Sequence, residues 1–558
     1  MKQSFVSLLA ILLLALVLRI YQLDKVPSAL FGDEVDVGYQ AYSLLKTGQD
    51  LYGNSWPTLI HSLSEYRAPL FIYSAVPFVA LFGLNEWGVR LSAVFFGVLG
   101  VLGVFMLTKL LFNQRIGLLA ASFMAISPWH IQYSRAAFEV TMLLSFMIFA
   151  TYFFIKGLDK RYFIIISAIL FGLTPYIYST SVVFMPFLIL VLMLIYGKSL
   201  KSKLAEVSVA ILIMLVVLSP YAYQTIIGKS GERFSVISVF TNQGLNDKVI
   251  LAQKQENLRF GLQRIFHNKP LEWSQQISMN YLRAFSPEFL FLQGDPNSRH
   301  SIHDMGQMYY FELILLLTGV WVLLSGNGGG NEAAGRQGKW LILGWLAVSP
   351  LPASLTYDGG FHATRNFLML LPLLILVSLG SVSVWEKLSK NKSYLLGVLI
   401  VLAIFNVTFF LHRYFINYPA EQWRAWHYGF KESMQYVKEN GFLYNKVLVN
   451  NTYEPSLIRF LFWTKYDPNL FHRQFRGDQS IKNITTGFDG FSLEGKYFFG
   501  KVNGPFEKIM DIKTLYVASA RDDITNPATL YDPNVRLLKT VNSPTGEPIF
   551  YIITGTHE

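Results

Sequence analysis

Long apolar runs recur through the first 412 residues, and short polar connections separate them. A helix needs about 20 apolar residues to cross a bilayer core of roughly 30 Å. A stretch at 68–84 contains two prolines, and we expect it to lie along the outer interface without crossing. The remaining runs predict eleven membrane-spanning helices, at residues 4–20, 88–109, 116–132, 138–155, 162–178, 180–197, 204–222, 309–325, 340–357, 364–382 and 393–411.

Basic residues lie on one side of this arrangement. With the amino terminus inside, the inner connections hold 14 Lys and Arg residues, among them Lys198, Lys201 and Arg336, and the short outer connections hold almost none. Cytoplasmic loops of membrane proteins carry such an excess of basic residues. The pattern therefore predicts a multi-pass protein of the plasma (inner) membrane, with its large loops on the outer face.

Three segments are expected outside the membrane. Two are the loops 21–87 and 223–308, which belong to a transmembrane catalytic domain over residues 1–412. The third, 413–558, is far more polar and is predicted to be a soluble extracytoplasmic α/β domain. An apolar stripe of helical period runs through 421–437, and short β-rich runs at 446–449, 514–517 and 548–553 predict strands.

Composition agrees with a membrane protein. Apolar residues make up 52% of the chain and charged residues only 15%, with a mean hydropathy of +0.36. Soluble domains carry nearer 25% charge. The net charge of +11 suits anionic membrane lipids, and no dense basic run indicates nucleic-acid binding. Because the chain has no cysteine, a thiolate metal site and a Cys nucleophile are excluded.

Ionisable residues gather at the predicted outer ends of the spans, where burial near a bilayer is costly and function often explains it. The residues that share this placement are Asp33, Glu34, Arg67, Arg90, Arg135, Glu139, Asp295, Arg299, His300, His303, His362 and Arg365.

Structural explanations stand beside functional ones for several of these residues. Arg90 and Arg365 at helix ends could extend to the headgroups, and Arg135 and Glu139 could form a simple i,i+4 helix pair. A metal at the His300, His303 and Asp304 cluster stays open, although its spacing matches no familiar metal motif. No cofactor is otherwise indicated, and a divalent metal stays an open requirement.

The combination points to a recess for an anionic amphiphile. Arg side chains bind phosphate through paired donors, and a carboxylate can remove a proton from an attacking hydroxyl. Acidic and basic groups at one lipid interface therefore suit a sugar carried on a lipid phosphate.

These residues resemble the C-type glycosyltransferases, and most closely the bacterial protein O-mannosyltransferase-like family, with the lipid A aminoarabinose transferases as relatives. The resemblance covers about residues 1–412 and rests on the order of several segments together. Those segments are Phe31–Tyr42, Glu65–Tyr73, Gly88–Leu91, Ser127–Glu139, Phe285–Gly306 and Ser349–Pro372.

The resemblance implies a C-type fold of about eleven transmembrane helices and a polyprenyl-phosphate sugar donor of the undecaprenyl type. Asp33 matches the catalytic base, Glu34 its supporting neighbour, and Glu139 a second acidic residue of the family. Asp36 departs from the Arg that some relatives carry there, which weakens the aminoarabinose-type assignment. The donor phosphate would be bound by Arg67, Arg90, Arg135, His362 and Arg365, and lid or substrate contacts would come from Asp295, Arg299, His300 and His303.

The implied reaction is transfer of the sugar to a hydroxyl of a lipid, protein or glycan acceptor on the outer face. Direct displacement predicts inversion at the anomeric carbon, by analogy with inverting glycosidases. A transporter or flippase of lipid-linked sugars is the alternative, and it predicts ionisable residues near the bilayer midplane and repeat symmetry between halves. The sequence has its charged residues at one face, which favours the transferase.

Overall fold

The computed structural model describes residues 2–62, 66–227, 236–256, 261–302, 304–325, 332–477, 491–500, 510–521 and 533–557. By their internal contacts the residues divide into two compact units. The first unit comprises 1–21, 93–134 and 138–411, and the second comprises 22–92, 135–137 and 412–558. The predicted domain boundary after residue 412 stays a prediction, and the unit that contains the carboxyl-terminal residues also includes residues 22–92, which hold most of the predicted first outer loop.

Helices dominate the chain. In chain order they are α1 (Lys2–Ile20), α2 (Gly32–Thr47), α3 (Leu70–Phe82), α4 (Glu86–Leu111), α5 (Gln114–Ile126), α6 (Pro128–Arg135), α7 (Glu139–Gly157), α8 (Tyr162–Leu173), α9 (Thr180–Leu200), α10 (Leu204–Ile226), α11 (Gln243–Gln255), α12 (Gln263–Phe266), α13 (Lys269–Arg283), α14 (Tyr310–Ser325), α15 (Glu332–Val348), α16 (Leu351–Ser354), α17 (Ala363–Asn366), α18 (Leu370–Asn391), α19 (Ser393–His412), α20 (Tyr418–Glu421), α21 (Phe430–Asn440), α22 (Ser456–Thr464) and α23 (Pro468–Gly477). Strands are β1 (Ile60–His61), β2 (Tyr66–Arg67), β3 (Lys446–Val449), β4 (Phe491–Leu493), β5 (Tyr497–Phe499), β6 (Thr514–Ser519), β7 (Val535–Asn542) and β8 (Pro548–Gly555).

Five helical segments in the described ranges are long and apolar enough to cross a membrane. They are Glu86–Leu111, Glu139–Gly157, Thr180–Ile226, Ala363–Ser389 and Ser393–Glu421. Shorter apolar helices lie at further predicted spans, such as Ser4–Ile20 and Tyr310–Ser325. The chain is thus mostly helical with several candidate membrane helices, and the number of eleven crossings stays a prediction.

Proline explains where two predicted spans differ from the helices. The predicted span 116–132 is divided because α5 ends at Ile126 and α6 begins at Pro128, whose nitrogen has no hydrogen to continue the ladder. The predicted span 340–357 lies partly outside a helix, since α15 ends at Val348 and only the short α16 follows Pro350.

The first unit contains closely packed helices. Helices α14 and α18 touch at two glycines, because a Cβ on Gly319 would lie 1.8 Å from the Leu376 carbonyl oxygen and one on Gly380 would lie 1.9 Å from that of Leu315. Small residues allow helix backbones to approach in this way.

The second unit is built on a six-stranded sheet with the strand order β4-β5-β3-β6-β8-β7. Strand β3 runs parallel to both β5 and β6, and the other neighbours are antiparallel. Strands β3, β6 and β8 begin where the sequence predicts, at residues 446, 514 and 548. The helix predicted for 421–437 is shorter at its start: α21 begins at Phe430, after Gly429 with a left-handed φ of +98°.

Candidate active site

Helix α2 presents the acidic motif at its first turn, in the second unit. The helix begins at Gly32, and the Glu34 carboxylate accepts the Phe31 backbone N–H at 3.3 Å, as in a capping box. Asp33 and Glu34 therefore lie at the positive end of the helix dipole, where carboxylates are stabilised. Adjacent positions on a helix point in different directions, so the two side chains have different surroundings.

Glu34 is completely buried and has all of its hydrogen-bonding capacity in use. Its oxygens accept from the Arg90 Nε at 2.9 Å, the Arg90 NH2 at 3.2 Å and the Ala137 backbone N–H at 3.1 Å, in addition to Phe31. A carboxylate with four donors around it holds the backbone in place and is poorly placed to accept a proton from substrate.

Arg90 is equally buried, and each of its five N–H donors has an acceptor. Besides the bonds to Glu34, its NH1 donates to the carbonyls of Leu23 and Pro27 and its NH2 to that of Ala29. Such a guanidinium orders the chain before α2 and has no further donor for a phosphate.

Arg135 has similar surroundings in the same unit. It is fully buried, its NH2 donates to the carbonyls of Gln22 and Val26, and its guanidinium lies 4.8 Å from the centre of the Phe415 ring. Helix α6 ends at Arg135 and α7 begins at Glu139, so the explanation of these two residues as a pair within one helix is wrong.

Asp33 differs from the buried Glu34, because 52% of its side chain is exposed. Its carboxylate accepts the Arg67 NH2 at 2.5 Å, and the Nε of the same arginine lies 3.3 Å from Asp36 Oδ2. Strand β2 supplies Arg67, which is almost buried. One buried guanidinium thus joins an accessible carboxylate and a hidden one.

Asp36 is the residue of this cluster that the sequence identified only as a departure from the family pattern. Burial raises its pKa to about 6, against the lowering effects of Arg67 and of hydrogen bonds from Ser62 and Gln40. The sequence could have indicated that Asp36 lies near Asp33, because it follows Asp33 by three residues and so lies on the next turn of α2.

A second cluster lies in the first unit, around Asp295. Its Oδ2 accepts the Ala363 backbone N–H at 2.8 Å and lies 3.2 Å from His300 Nδ1 and 4.0 Å from His362 Nδ1. Burial alone would raise the Asp295 pKa, but the hydrogen bond and charge of His300, the nearby His362 and the Ala363 N–H lower it. Burial lowers the pKa of His362 well below its usual value, with Arg365 acting in the same direction.

The ligand atoms of Asp295, His300 and His362 lie within 4.8 Å of one another. Two imidazoles and a carboxylate are a donor set that zinc accepts. However, Asp295 Oδ2 already accepts a backbone N–H and His300 Nδ1 also lies 3.2 Å from Thr364 Oγ1, so hydrogen bonding accounts for much of this arrangement. The predicted metal-candidate residue His303 lies outside the described residues.

The other predicted residues of this unit have varied surroundings. Arg365 donates to Asp358 at 2.5 Å and to Thr356 Oγ1 at 2.7 Å, and 13% of its side chain is exposed. The Arg299 carbonyl accepts from Gln132 at 2.6 Å, and Glu139 is half-buried at the first turn of α7. The sequence did not identify Tyr133 and Thr364, whose hydroxyls lie 2.8 Å apart, because single hydroxyl residues give no pattern.

Residues 66–223 match the sequence profile of a family described as dolichyl-phosphate-mannose-protein mannosyltransferase. This part of the chain is therefore similar to membrane mannosyltransferases that use a lipid-phosphate sugar. The resemblance drawn from the sequence is thereby confirmed, and the apolar helices agree with an integral membrane protein. No curated protein matches the chain as a whole or in part.

Solved structures of glycosyltransferases are also similar to the chain. The archaeal oligosaccharyltransferase AglB from Archaeoglobus fulgidus is 12% identical with a TM-score of 0.45, and the match covers 83% of this chain and 63% of that one. ArnT from Cupriavidus metallidurans, solved with undecaprenyl phosphate, is 14% identical with a TM-score of 0.45, covering 98% and 97%. The arabinofuranosyltransferase AftD from mycobacteria is 11% identical with a TM-score of 0.41, covering 99% and 41%. The chain thus spans less than two thirds of the archaeal enzyme.

Proposed function

We propose that this glycosyltransferase moves a sugar from a polyprenyl-phosphate donor, of the undecaprenyl type, to a hydroxyl acceptor on the outer face of the plasma membrane. The matched family profile supports a lipid-phosphate sugar donor. The observation that carries the proposal is the division between the two acidic neighbours: Glu34 is buried and saturated, and Asp33 is half exposed beside Arg67.

In the proposed reaction Asp33 is the general base. The acceptor oxygen forms a bond to the anomeric carbon while the bond from that carbon to the phosphate oxygen breaks. The acceptor proton passes to Asp33, and the polyprenyl phosphate leaves as an anion, so it needs positive charge more than a proton. A single displacement inverts the anomeric carbon.

Arg67 is the cation that we assign to the donor phosphate in this unit, because its guanidinium lies directly beside the base. Glu34 and Arg90 become positioning residues, since their bonds order the backbone from Leu23 to Phe31. We assign Arg135 to the same supporting role. The assignments of Glu139, His362 and Arg365 stay predictions, and His300 with Asp295 and Arg299 remain candidate substrate contacts.

The test is the Asp33→Asn variant in the full chain. A positioned general base contributes about 10²- to 10⁴-fold, so we expect kcat to fall by at least about 100-fold with little change in binding of a polyprenyl-phosphate sugar. Sugar transfer is measured by mass spectrometry of the acceptor, and donor binding by calorimetry in detergent. The matched control is Asp24→Asn in the same segment, which should keep wild-type kcat.

Retention of turnover by Asp33→Asn would refute the proposed base. If the chain were a flippase instead, the variant would still move lipid-linked sugar across vesicles, and no glycosylated product would form with the wild-type protein.

A further inference from the structure

A groove lies between α9 and α15 in the first unit, and none of the residues that line it takes part in the proposed reaction. Its cavity measures about 740 Å³ and combines apolar walls with two cations. The residues that line it are Val191, Leu194, Ile195, Lys198, Arg336, Gln337 and Trp340.

Packing at one end defines the groove. A Cβ on Gly344 would lie 2.5 Å from Val191 Cγ1, so the two helices touch there. The cavity lies beside the turns that continue from this contact, toward Lys198 in the last turn of α9 and Arg336 in the first turns of α15. The apolar part of the groove is therefore near the helix contact and the cations are at the other end.

The cations and the apolar wall are both accessible. Leu194 is 76% exposed and Trp340 56% exposed. Among the residues that the structure describes, neither Lys198 nor Arg336 forms an ion pair. In the predicted topology both cations lie at the inner end of spans 180–197 and 340–357, where anionic lipid headgroups concentrate.

We infer that this groove binds an anionic glycerophospholipid. The headgroup phosphate accepts from the Arg336 guanidinium and the Lys198 ammonium, and one acyl chain lies along Leu194, Ile195 and Trp340. Charge and apolar area adjoin in the groove, which matches an amphiphile; free phosphate would leave the apolar wall unused. A lipid bound there joins α9 to α15, at a place that includes none of the proposed active-site residues.

The test uses quenching of tryptophan fluorescence by brominated lipids in the purified full chain, in an uncharged detergent. Brominated phosphatidylglycerol should quench more strongly than brominated phosphatidylcholine, and Trp340→Phe should remove that difference. The variant K198E/R336E should weaken phosphatidylglycerol binding by about 10- to 30-fold, since each cation near an anionic lipid contributes about 1 kcal/mol. The variant K198Q/R336Q should show a smaller loss of phosphatidylglycerol binding, and it replaces K198E/R336E in the test if charge reversal prevents folding.

The matched control is K201E/K203E, which removes two basic residues of the next turn that do not line the cavity. It should bind phosphatidylglycerol as wild type does. Equal quenching by the two lipids, or an equal loss in the control, would overturn the inference. If millimolar inorganic phosphate competes with the lipid, the site binds a free anion. If R336E dissociates a dimer in light scattering, the groove binds a second copy of the chain. Either result would also overturn the inference.

Discussion

Asp33 and Glu34 are neighbours in the chain, yet the fold separates their chemistry. Glu34 has four donors around a fully buried carboxylate, whereas Asp33 meets Arg67 and solvent. The sequence identified both as catalytic because an acidic doublet in a first outer loop is the family pattern. It could not distinguish them, since the difference comes from Arg90 and Ala137, which are more than 50 residues away along the chain.

The first residue-scale prediction concerns Glu34. Removing one partner of a buried ion pair leaves the other charge without compensation and costs about 3–5 kcal/mol. We therefore expect Glu34→Ala to lower the apparent Tm in detergent strongly, and Asp33→Asn to leave it close to wild type. Differential scanning fluorimetry measures both. Equal Tm values for Glu34→Ala and wild type would contradict the positioning role.

The second residue-scale prediction concerns Asp36, whose pKa burial raises to about 6 from an ordinary 3.8. The folded state therefore binds this proton more tightly than the unfolded state, and the stability it contributes is present at low pH. That contribution is lost as the pH rises from about 4 to about 6, by up to roughly 3 kcal/mol. The Tm of wild type minus that of Asp36→Asn should accordingly decrease across this range. A difference that does not change with pH would disprove the prediction.

At the scale of elements, the long apolar runs located most of the helices, because a bilayer-length apolar run has few alternatives to a helix. The ends were harder. Pro128 divides a predicted span, and the left-handed Gly429 delays the start of α21 past Trp423 and Trp426. Both residues were visible in the sequence, but an apolar window averages over them.

The element-scale prediction tests the contact between α14 and α18. An added methyl on Gly319 would lie 1.8 Å from the Leu376 carbonyl oxygen, so Gly319→Ala forces the helices apart and should cost roughly 1–3 kcal/mol. Gly397→Ala in α19 is the matched control, because the added methyl would have no neighbour within 4 Å apart from its chain neighbours and the nearby backbone of its own helix. The control should have an unchanged or slightly higher Tm, since alanine favours helix over glycine. A Tm for Gly319→Ala equal to that of the control would show that the two helices can separate at no cost.

At the scale of the whole molecule, orientation in the membrane was predicted from loop charge and stays a prediction. The chain lacks cysteine, so single cysteines report on it without background. In intact cells a membrane-impermeant maleimide should label Lys513→Cys, which is exposed next to β6, and should not label Ser202→Cys, which is exposed after α9. Both should react after permeabilisation. Labelling of Ser202→Cys in intact cells would reverse the topology and place the proposed active site inside.

The amino-acid sequence by itself determined that this is a helical membrane protein with glycosyltransferase motifs, since long apolar runs, loop charge and motif order are properties of adjacent or evenly spaced residues. Only the tertiary structure decided which charged residues have side chains available to meet a substrate. Arg90 and Arg135 match family positions, but their guanidinium groups are buried against carbonyl oxygens from a separate stretch of chain, whereas Arg67 meets both Asp33 and Asp36. Burial and the saturation of donors depend on groups distant in the chain, and no local pattern records them.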